Sequence, residues 1–223
     1  MSMLSNLDLI RRVPLFAMLT PAQAESLAGA VTKKRFKRGE FLVEQGKNCE
    51  SLFIILAGRA RVVVTDRRDR EVILATMHAG DYVGEMSLID QEPHSASVEA
   101  EVQTDALVLE GAEFTRCLLE NTSTVSAVMR GLVQRLRSAD RKIESLALMN
   151  VYGRVANVLM EAAPADENNV RIIRDKISRQ DIAKMVGASR EMVSRLLKDL
   201  EKGGYIDLGV KRITLKKKLP ARW

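Results

Sequence analysis

Residues 178–215 read SRQDIAKMVGASREMVSRLLKDLEKGGYIDLGVKRITL, and their spacing predicts two short helices joined by a tight turn. With Arg179 as the first position, Ala183 falls at the fifth, Gly187 at the ninth and Val193 at the fifteenth. A small residue lets the helices approach, glycine permits the turn, and the apolar residue packs the second helix on the first. The segment therefore predicts a helix-turn-helix.

The second predicted helix has one apolar and one polar face, and Ser189 is expected to cap its start. Successive side chains on a helix are separated by about 100°. The apolar face then holds Val193, Leu196, Leu197 and Leu200, and the polar face holds Arg190, Glu191, Ser194, Arg195 and Lys198. Arginine can bind guanine O6 and N7, and glutamate can accept a hydrogen bond from cytosine N4, so the polar face is suited to reading DNA.

Two short runs typical of strands follow this helix. The runs YIDL and RITL lie on either side of Gly209 and predict a hairpin. Such a hairpin would carry Lys211 and Arg212 towards DNA phosphates. We therefore predict a winged helix-turn-helix domain in residues 150–223.

The positive charge of the chain lies in the same segment. Of a net charge of +6, residues 1–149 contribute −1, with 19 Lys and Arg against 20 Asp and Glu, while residues 150–223 contribute +7, with 16 against 9. A basic domain beside a nearly neutral one predicts a polyanionic partner, most often double-stranded DNA. A helical bundle with a solvated charged face would explain the charge, but not the helix spacing, the cap and the basic hairpin together.

Residues 31–110 are rich in short strand-like runs, and they follow a helical start at residues 5–16 and a second helix beginning at Thr20. The runs are VTKKRF, EFLVEQ, SLFIIL, ARVVVT, EVILATM, SASVEAEV and DALVLE. Glycines between them suit tight turns. We expect an antiparallel barrel or double-sheet jelly roll within a domain of residues 1–121.

From Thr122 the pattern is helical for nearly thirty residues. Apolar residues recur with the 3.5-residue period of a coiled-coil seam, at Val125, Met129, Leu132, Leu136, Ala139, Ile143 and Leu146. In a parallel pair of helices, Arg135 would face Asp140 of the partner, which favours a symmetric homodimer through residues 122–149. The alternative is that the apolar stripe packs on its own β-rich domain.

Several classes of protein are not indicated. No stretch approaches the ~20 apolar residues of a membrane span, and no secretory signal is recognisable, so we expect a cytoplasmic protein without a membrane partner. Cys49 and Cys117 form no cluster with histidines, so no metal site is expected. A hydrolase would need Glu85, His94 and Ser95 to converge, and neighbouring residues of a strand point to opposite faces. We therefore predict no catalytic residues and no enzyme.

Four stretches resemble the cyclic-AMP receptor (CRP/FNR) family of bacterial transcription regulators. They are FKRGEFLVEQG at 36–46, GEMSLIDQEPHSA at 84–96, LALMNVYGRV at 146–155 and SREMVSRLL at 189–197. The resemblance implies an α+β protein: an N-terminal β-roll domain of the cyclic-nucleotide-binding type, a long dimerisation helix and a C-terminal winged helix-turn-helix. It also implies a homodimer that binds palindromic operators and engages RNA polymerase.

The resemblance extends to individual DNA-binding positions. Residues 190–195 fit the pattern Arg-Glu-x-Val-x-Arg of the cyclic-AMP receptor branch, which implies half-sites close to TGTGA/TCACA. Ser178 and Gln180, at the entrance to the first helix of the motif, resemble positions that hold backbone phosphates. Such contacts position the protein without specifying sequence.

The suspected effector turn matches the family in part. Gly84 and Glu85 resemble the Gly-Glu pair that, in cyclic-AMP binders, meets the phosphate and the ribose hydroxyl. Where those members carry an arginine followed by Ser or Thr, this chain has His94 and Ser95. A guanidinium is always charged and binds phosphate through two bonds, whereas histidine is mostly neutral at pH 7. The change predicts ten- to a hundredfold weaker binding of a cyclic mononucleotide, on the basis of ~1.5 to 3 kcal/mol for a charge-assisted bond.

The helix departs from the family as well. Cyclic-AMP binders place a Thr-Ser pair where this chain has Ala139 and Asp140, which offer no hydroxyl. Three readings stay open: another nucleotide, with cyclic di-GMP favoured by the spare cations Arg130, Arg137 and Arg141; weakened cyclic-AMP binding; or no effector and constant DNA binding. A nucleotide-binding module that acts on a protein target is a further alternative.

Overall fold

The computed structural model of the protein describes residues 5–48, 50–163, 171–173, 177–210, 212–217 and 219. The chain forms two compact units, residues 1–135 and 136–223, and the division falls within one long helix. The predicted three-part division of the chain stays a prediction. Cys49 and the predicted DNA-binding residue Lys211 lie outside the described residues.

The first unit begins with two capped helices, as predicted. Helix α1 (Asn6–Ile10) begins after Ser5, whose hydroxyl accepts a hydrogen bond from the third helical N–H. A 3₁₀ turn at Pro14–Phe16 leads to helix α2 (Pro21–Ala30), which Thr20 caps in the same way, with proline at the first helical position.

Eight strands and a short helix follow. They are β1 (Val31–Phe36), β2 (Phe41–Val43), β3 (Ser51–Ala57), β4 (Ala60–Thr65), β5 (Glu71–Met77), β6 (Tyr82–Val83), α3 (Glu85–Asp90), β7 (Ser97–Ala100) and β8 (Thr104–Glu110). The strands form two four-stranded antiparallel sheets, in the orders β1-β8-β3-β6 and β2-β7-β4-β5. All seven predicted runs are confirmed as strands. Strand β6 was not predicted, because its two residues are too few to show a period.

Apolar residues on the inner faces of both sheets build the core of this unit. One cluster joins Leu52, Leu107 and Leu109 to helix α4 (Gly111–Glu120), and another centres on Phe36, which is 2% exposed. Alternation of buried and accessible positions along the strands, as in β3 and β8, places these residues inside.

Helix α5 (Thr122–Leu148) has 27 residues and confirms the predicted long helix. Thr124 and Val128 are buried, and Val128 belongs to the core of the first unit. The predicted seam lies mostly on the exposed surface: Met129 is 60%, Leu136 62%, Ile143 65% and Leu146 57% exposed. The stripe therefore does not pack as a whole on its own β-rich unit.

The second unit continues with helices and a small sheet. Its elements are α6 (Val151–Ala162), β9 (Arg171–Ile173), α7 (Arg179–Val186), α8 (Arg190–Lys202), β10 (Ile206–Leu208) and β11 (Ile213–Leu215). The predicted hairpin is β10-β11, and β9 adds a third antiparallel strand that the sequence analysis missed. Val155, Leu159, Val193 and Leu197 lie in one apolar core. Within the described part of the chain, no helix has the length and apolar character needed to span a membrane.

Candidate DNA interface and effector turn

The turn between α7 and α8 has the predicted geometry. Gly187 ends α7 with φ +63° and ψ +47°, a left-handed conformation that glycine adopts readily, and its N–H donates to the carbonyl of Ala183. Ala183 is only 3% exposed. The Ser189 hydroxyl accepts a hydrogen bond from the N–H of Met192 at 3.2 Å, which confirms it as the N-cap of α8.

Helix α8 presents a polar surface opposite its packed face. Val193, Leu197 and Leu200 are no more than 1% exposed, whereas Arg190, Glu191, Arg195 and Lys198 are exposed and Ser194 is half-buried. Among the residues that the structure describes, the side chains of Arg190, Glu191 and Arg195 have no hydrogen bond or ion pair. The charged groups that could read base edges are therefore not engaged by any of the described residues.

The predicted phosphate-binding residues lie at the start of α7 and in the wing. Ser178 caps α7: its hydroxyl accepts from the N–H of Asp181 at 3.0 Å and donates to the Asp181 carboxylate at 2.6 Å. Gln180 is exposed in the first turn, where helix N–H groups and the helix dipole favour a phosphate. In the wing, Arg212 is exposed beside Lys211, which is not among the described residues.

The predicted effector turn is built on Gly84, which has φ +105° and ψ −15° and immediately precedes α3. This left-handed geometry needs glycine. Glu85 is the first residue of α3 and is 1% exposed. Burial raises the pKa of its carboxyl, while Arg135 and a backbone hydrogen bond act in the opposite direction. The Oε2 atom is buried without a hydrogen-bond partner among the described residues.

Arg135 of α5 binds this buried carboxylate. Its Nη1 lies 2.5 Å from Oε1 of Glu85, its Nη2 donates to the carbonyl of Tyr82, and its guanidinium stands 5.1 Å from the centre of the Tyr82 ring. Gly131 makes room for this arrangement, since a Cβ there would collide with the Tyr82 hydroxyl. The structure thus engages Arg135 within its own chain, instead of leaving it for Asp140 of a partner.

The sequence alone did not predict these roles of Tyr82, Gly131 and Arg135. Arg135 and Glu85 are 50 positions apart, and no local period links them. A glycine inside an otherwise regular helix was the one local signal, because glycine there is unfavourable unless close packing requires it.

His94 is 8% exposed, and both its side chain and its backbone form hydrogen bonds. Its Nδ1 lies 3.1 Å from the hydroxyl of Ser87 in α3, and its backbone exchanges hydrogen bonds with Gly46 and Lys47. Burial lowers the pKa of the imidazole below its ordinary value, because desolvation disfavours the charged ring.

The remaining predicted effector residues are exposed, unlike Glu85 and His94. Ser95 is exposed, and its neighbour His94 points into the protein. Ala139 and Asp140 are exposed on the part of α5 that belongs to the second unit. Within the described residues there is no group of three or more side chains able to hold a metal ion.

Two family models match the chain, one in the β-rich domain and one in the helix-turn-helix domain. Residues 33–121 match the cyclic nucleotide-binding domain, and residues 153–218 match the Crp-like helix-turn-helix domain. These matches define a DNA-binding regulator with a nucleotide-binding-type sensor domain.

Transcription regulators of known function are similar to this chain in sequence or in fold. The chain is 32% identical over 180 residues to the cAMP-activated global transcriptional regulator Vfr of Pseudomonas aeruginosa, covering 78% of this chain and 84% of that protein. It is 30% identical over 177 residues to the regulator CRP of Salmonella typhimurium, with the same coverages. The solved structure of the c-di-GMP responsive regulator CLP of Xanthomonas campestris shares the fold, with a TM-score of 0.77 at 22% identity, over 89% of this chain and 100% of that one.

The chain belongs to the CRP/FNR family of transcription regulators. The predicted α+β class, with a cyclic-nucleotide-binding β-roll, a long helix and a winged helix-turn-helix, is confirmed. The relatives are named as transcriptional regulators and not as enzymes, which agrees with the prediction that this protein is no enzyme.

Proposed function

We propose that the protein is a homodimeric regulator that reads TGTGA/TCACA-like palindromes with helix α8. The observation that carries this proposal is the polar face of α8: Arg190, Glu191 and Arg195 are exposed and have no partner among the described residues. The opposite face is packed through the buried residues Val193, Leu197 and Leu200. Arg190 and Arg195 are suited to guanine, Glu191 to cytosine, and Ser194 to either partner. Ser189 stabilises the helix start that these side chains need.

Dimerisation through residues 122–149 supports a palindromic site. The apolar seam of α5 is largely exposed in the single chain, and such a surface is stabilised by burial against a second helix. A two-fold dimer places two α8 helices about one DNA turn apart and so reads two inverted half-sites.

Contacts with the DNA backbone are assigned to residues around α7 and in the wing. Ser178, Gln180 and Lys211 position the domain on phosphates and carry no sequence information. Replacement of Lys211 by alanine should weaken binding to all DNA alike and flatten the salt dependence by about one counterion, as measured by anisotropy between ~50 and ~200 mM salt. RNA polymerase in the cytoplasm is the further partner that the family resemblance implies.

A nucleotide effector acting at Gly84, Glu85, His94, Ser95 and Asp140 is the second part of the proposal. Curated relatives are named for activation by cAMP, and the fold neighbour CLP for its response to c-di-GMP. We favour cyclic di-GMP or another nucleotide over cyclic AMP bound in the standard way. Two observations support this choice: His94 is buried, which disfavours a charged imidazole, and one Glu85 oxygen is already bound by Arg135.

Thermal melting with each nucleotide tests the effector. A true effector present at 100 times its dissociation constant adds about 2.7 kcal/mol to the free energy of unfolding. We expect cyclic di-GMP to raise the melting temperature more than cyclic AMP does. If the melting temperature and the affinity for DNA are the same with every nucleotide as without one, the result would favour constant DNA binding without an effector. Absence of sequence-specific DNA binding under every nucleotide would favour a module that acts on a protein.

A further inference from the structure

A cavity of about 240 Å³ adjoins His94 in the first unit. Its described lining comes from β2, the following turn, the start of β3 and His94, and includes Phe41, Glu44, Lys47, Glu50 and Phe53. Gly84 and Glu85 do not line the cavity, and of its described lining residues only His94 also belongs to the proposed effector turn. Its volume lies below the ~300–1,000 Å³ of sites for drug-sized ligands, which limits the occupant to a small molecule.

Two aromatic side chains give the cavity an apolar wall. Phe41 is 46% exposed, although it lies on a strand whose next two residues are buried. Phe53 is half-buried and meets the Phe36 ring edge to face, with centroids 6.0 Å apart. An aromatic ligand ring would stack on such surfaces and cover the exposed phenyl group.

The charges at the rim favour a cation. Lys47 Nζ lies 2.8 Å from a carboxylate oxygen of Glu44, so these two charges compensate each other. Glu50 is exposed and has no ion pair among the described residues. A phosphate would meet this remaining carboxylate with like charge, whereas a primary ammonium would form a charge-assisted hydrogen bond with it.

The cavity is connected to the long helix by a chain of direct contacts. His94 lines the cavity and bonds to Ser87 of α3, while Glu85 of α3 pairs with Arg135 of α5. A ligand that displaces the imidazole therefore moves a group attached to α3, the element whose first residue holds Arg135. Coupling between sites travels through contiguous packed and hydrogen-bonded groups of this kind.

We infer that this cavity is a second ligand site, which binds a small aromatic amine and transmits its occupancy to α5 through His94 and α3. The site shares His94 with the proposed effector turn, but it does not depend on the identity of the nucleotide, because its ligand differs in charge and its other described lining residues lie outside that turn.

Calorimetric titration of the full-length protein with phenethylamine, phenethyl alcohol and phenylacetate tests the binding. We expect the amine to bind about ten- to a hundredfold more tightly than the alcohol, from one charge-assisted bond, and phenylacetate to bind most weakly. Glu50→Gln should remove the preference for the amine, and Phe41→Ser should weaken amine and alcohol alike. Glu25→Gln, at an exposed position of α2, is the matched control and should change neither. Equal binding of the three probes, or none at ~10 mM, would overturn the proposal.

The transmission is tested by DNA binding with saturating phenethylamine. Wild-type affinity for DNA should change by at least about fivefold, the lower end of typical allosteric coupling. Ser87→Ala should still bind the amine but lose this response. If the amine binds and wild-type DNA affinity stays constant, the transmission is refuted. If Ser87→Ala responds like the wild type, the route through His94 is wrong. Calorimetry needs neither DNA nor nucleotide, so its result is independent of the proposed operator and effector.

Discussion

Helix α8 and the effector turn use charged residues in opposite ways. Arg190, Glu191 and Arg195 stand exposed on a helix whose other face is packed, without a hydrogen bond or ion pair among the described residues. In the effector turn, Glu85 and His94 are buried, and each is bound by a group of its own chain. A surface that reads an external partner keeps its polar groups available, whereas the turn is already engaged and must exchange internal bonds for those of a ligand.

This difference decides how each region responds to mutation. If α8 reads DNA as proposed, loss of one of its exposed charged side chains should remove contacts with DNA and leave the fold intact. Loss of a partner in the turn leaves a buried polar group without compensation, which lowers the free energy of unfolding. The following changes separate these two behaviours.

The largest effect is expected from the exposed seam of α5. Leu136→Glu places a charge in the proposed helix pair and should convert the dimer to a monomer, because a charge at a seam position opposes burial. Affinity for a palindrome should fall about 10²- to 10⁴-fold as the second half-site is lost. Sedimentation and anisotropy measure the two effects. Gln134→Glu, two positions away and off the seam, should leave both unchanged, and a dimeric Leu136→Glu protein would contradict the proposed interface.

Arg190→Ala should act on recognition alone. It removes one bidentate base contact, so affinity for the palindrome should fall by about 1 to 3 kcal/mol, or roughly 5- to 150-fold. Affinity for unrelated DNA and the melting temperature should stay close to wild type, because the side chain has no partner among the described residues. Lys198→Ala, on the same exposed face, should weaken both kinds of DNA to a similar extent. Equal losses on both DNAs for Arg190→Ala would argue against base reading.

Arg135→Met should act on stability. It leaves the buried Glu85 carboxylate unpaired, and we expect a loss of about 2 kcal/mol at pH 7.5. This is less than for a fully buried pair, because the Arg135 side chain is 40% exposed. Without Arg135 the pKa of Glu85 rises further, since a lowering influence is removed. As the pH falls towards 5, more of the Glu85 carboxyl is protonated, and a neutral carboxyl costs less to bury. The loss of unfolding free energy should therefore shrink.

Urea unfolding at both pH values measures this change. Arg137→Met, a matched and exposed position of the same helix, should have little effect at either pH. A loss for Arg135→Met that stays constant with pH would show that Glu85 is not the group left unpaired.

The smallest effect is expected from replacement of His94, and it concerns how the free energy of unfolding depends on pH. Burial lowers the pKa of the folded imidazole below its ordinary value of 6.5. The unfolded chain therefore takes up a proton first, and the folded state loses stability as the pH falls below about 6.5. His94→Asn should lose less stability than wild type between pH 7 and pH 5. His78→Asn, at an exposed position, is the control, and identical pH profiles for His94→Asn and wild type would contradict the burial of a neutral ring.

The sequence predicted the parts whose signals are local. The spacing from Ala183 to Val193, the Ser189 cap and the long apolar repeat of α5 each depend on residues close together in the sequence. The structure confirms the two short helices, the cap and the long helix. The contacts of Arg135 with Tyr82 and Glu85 were missed, because they join groups about 50 positions apart whose meeting depends on the packing of α5 on the β-roll. The β9 strand was missed for the same reason: three residues pair with β11 only once the domain has folded.

The most direct test of the proposed function is competition for DNA at about 150 mM salt. A labelled palindrome of TGTGA and TCACA, with half-site centres about 10 base pairs apart, is displaced by the same DNA or by DNA with both half-sites scrambled. The measurement is made without nucleotide, with cyclic AMP and with cyclic di-GMP. We predict a preference of at least ~10³-fold for the palindrome in one or more of these conditions. A preference below about tenfold in all three would contradict the reading of DNA by α8.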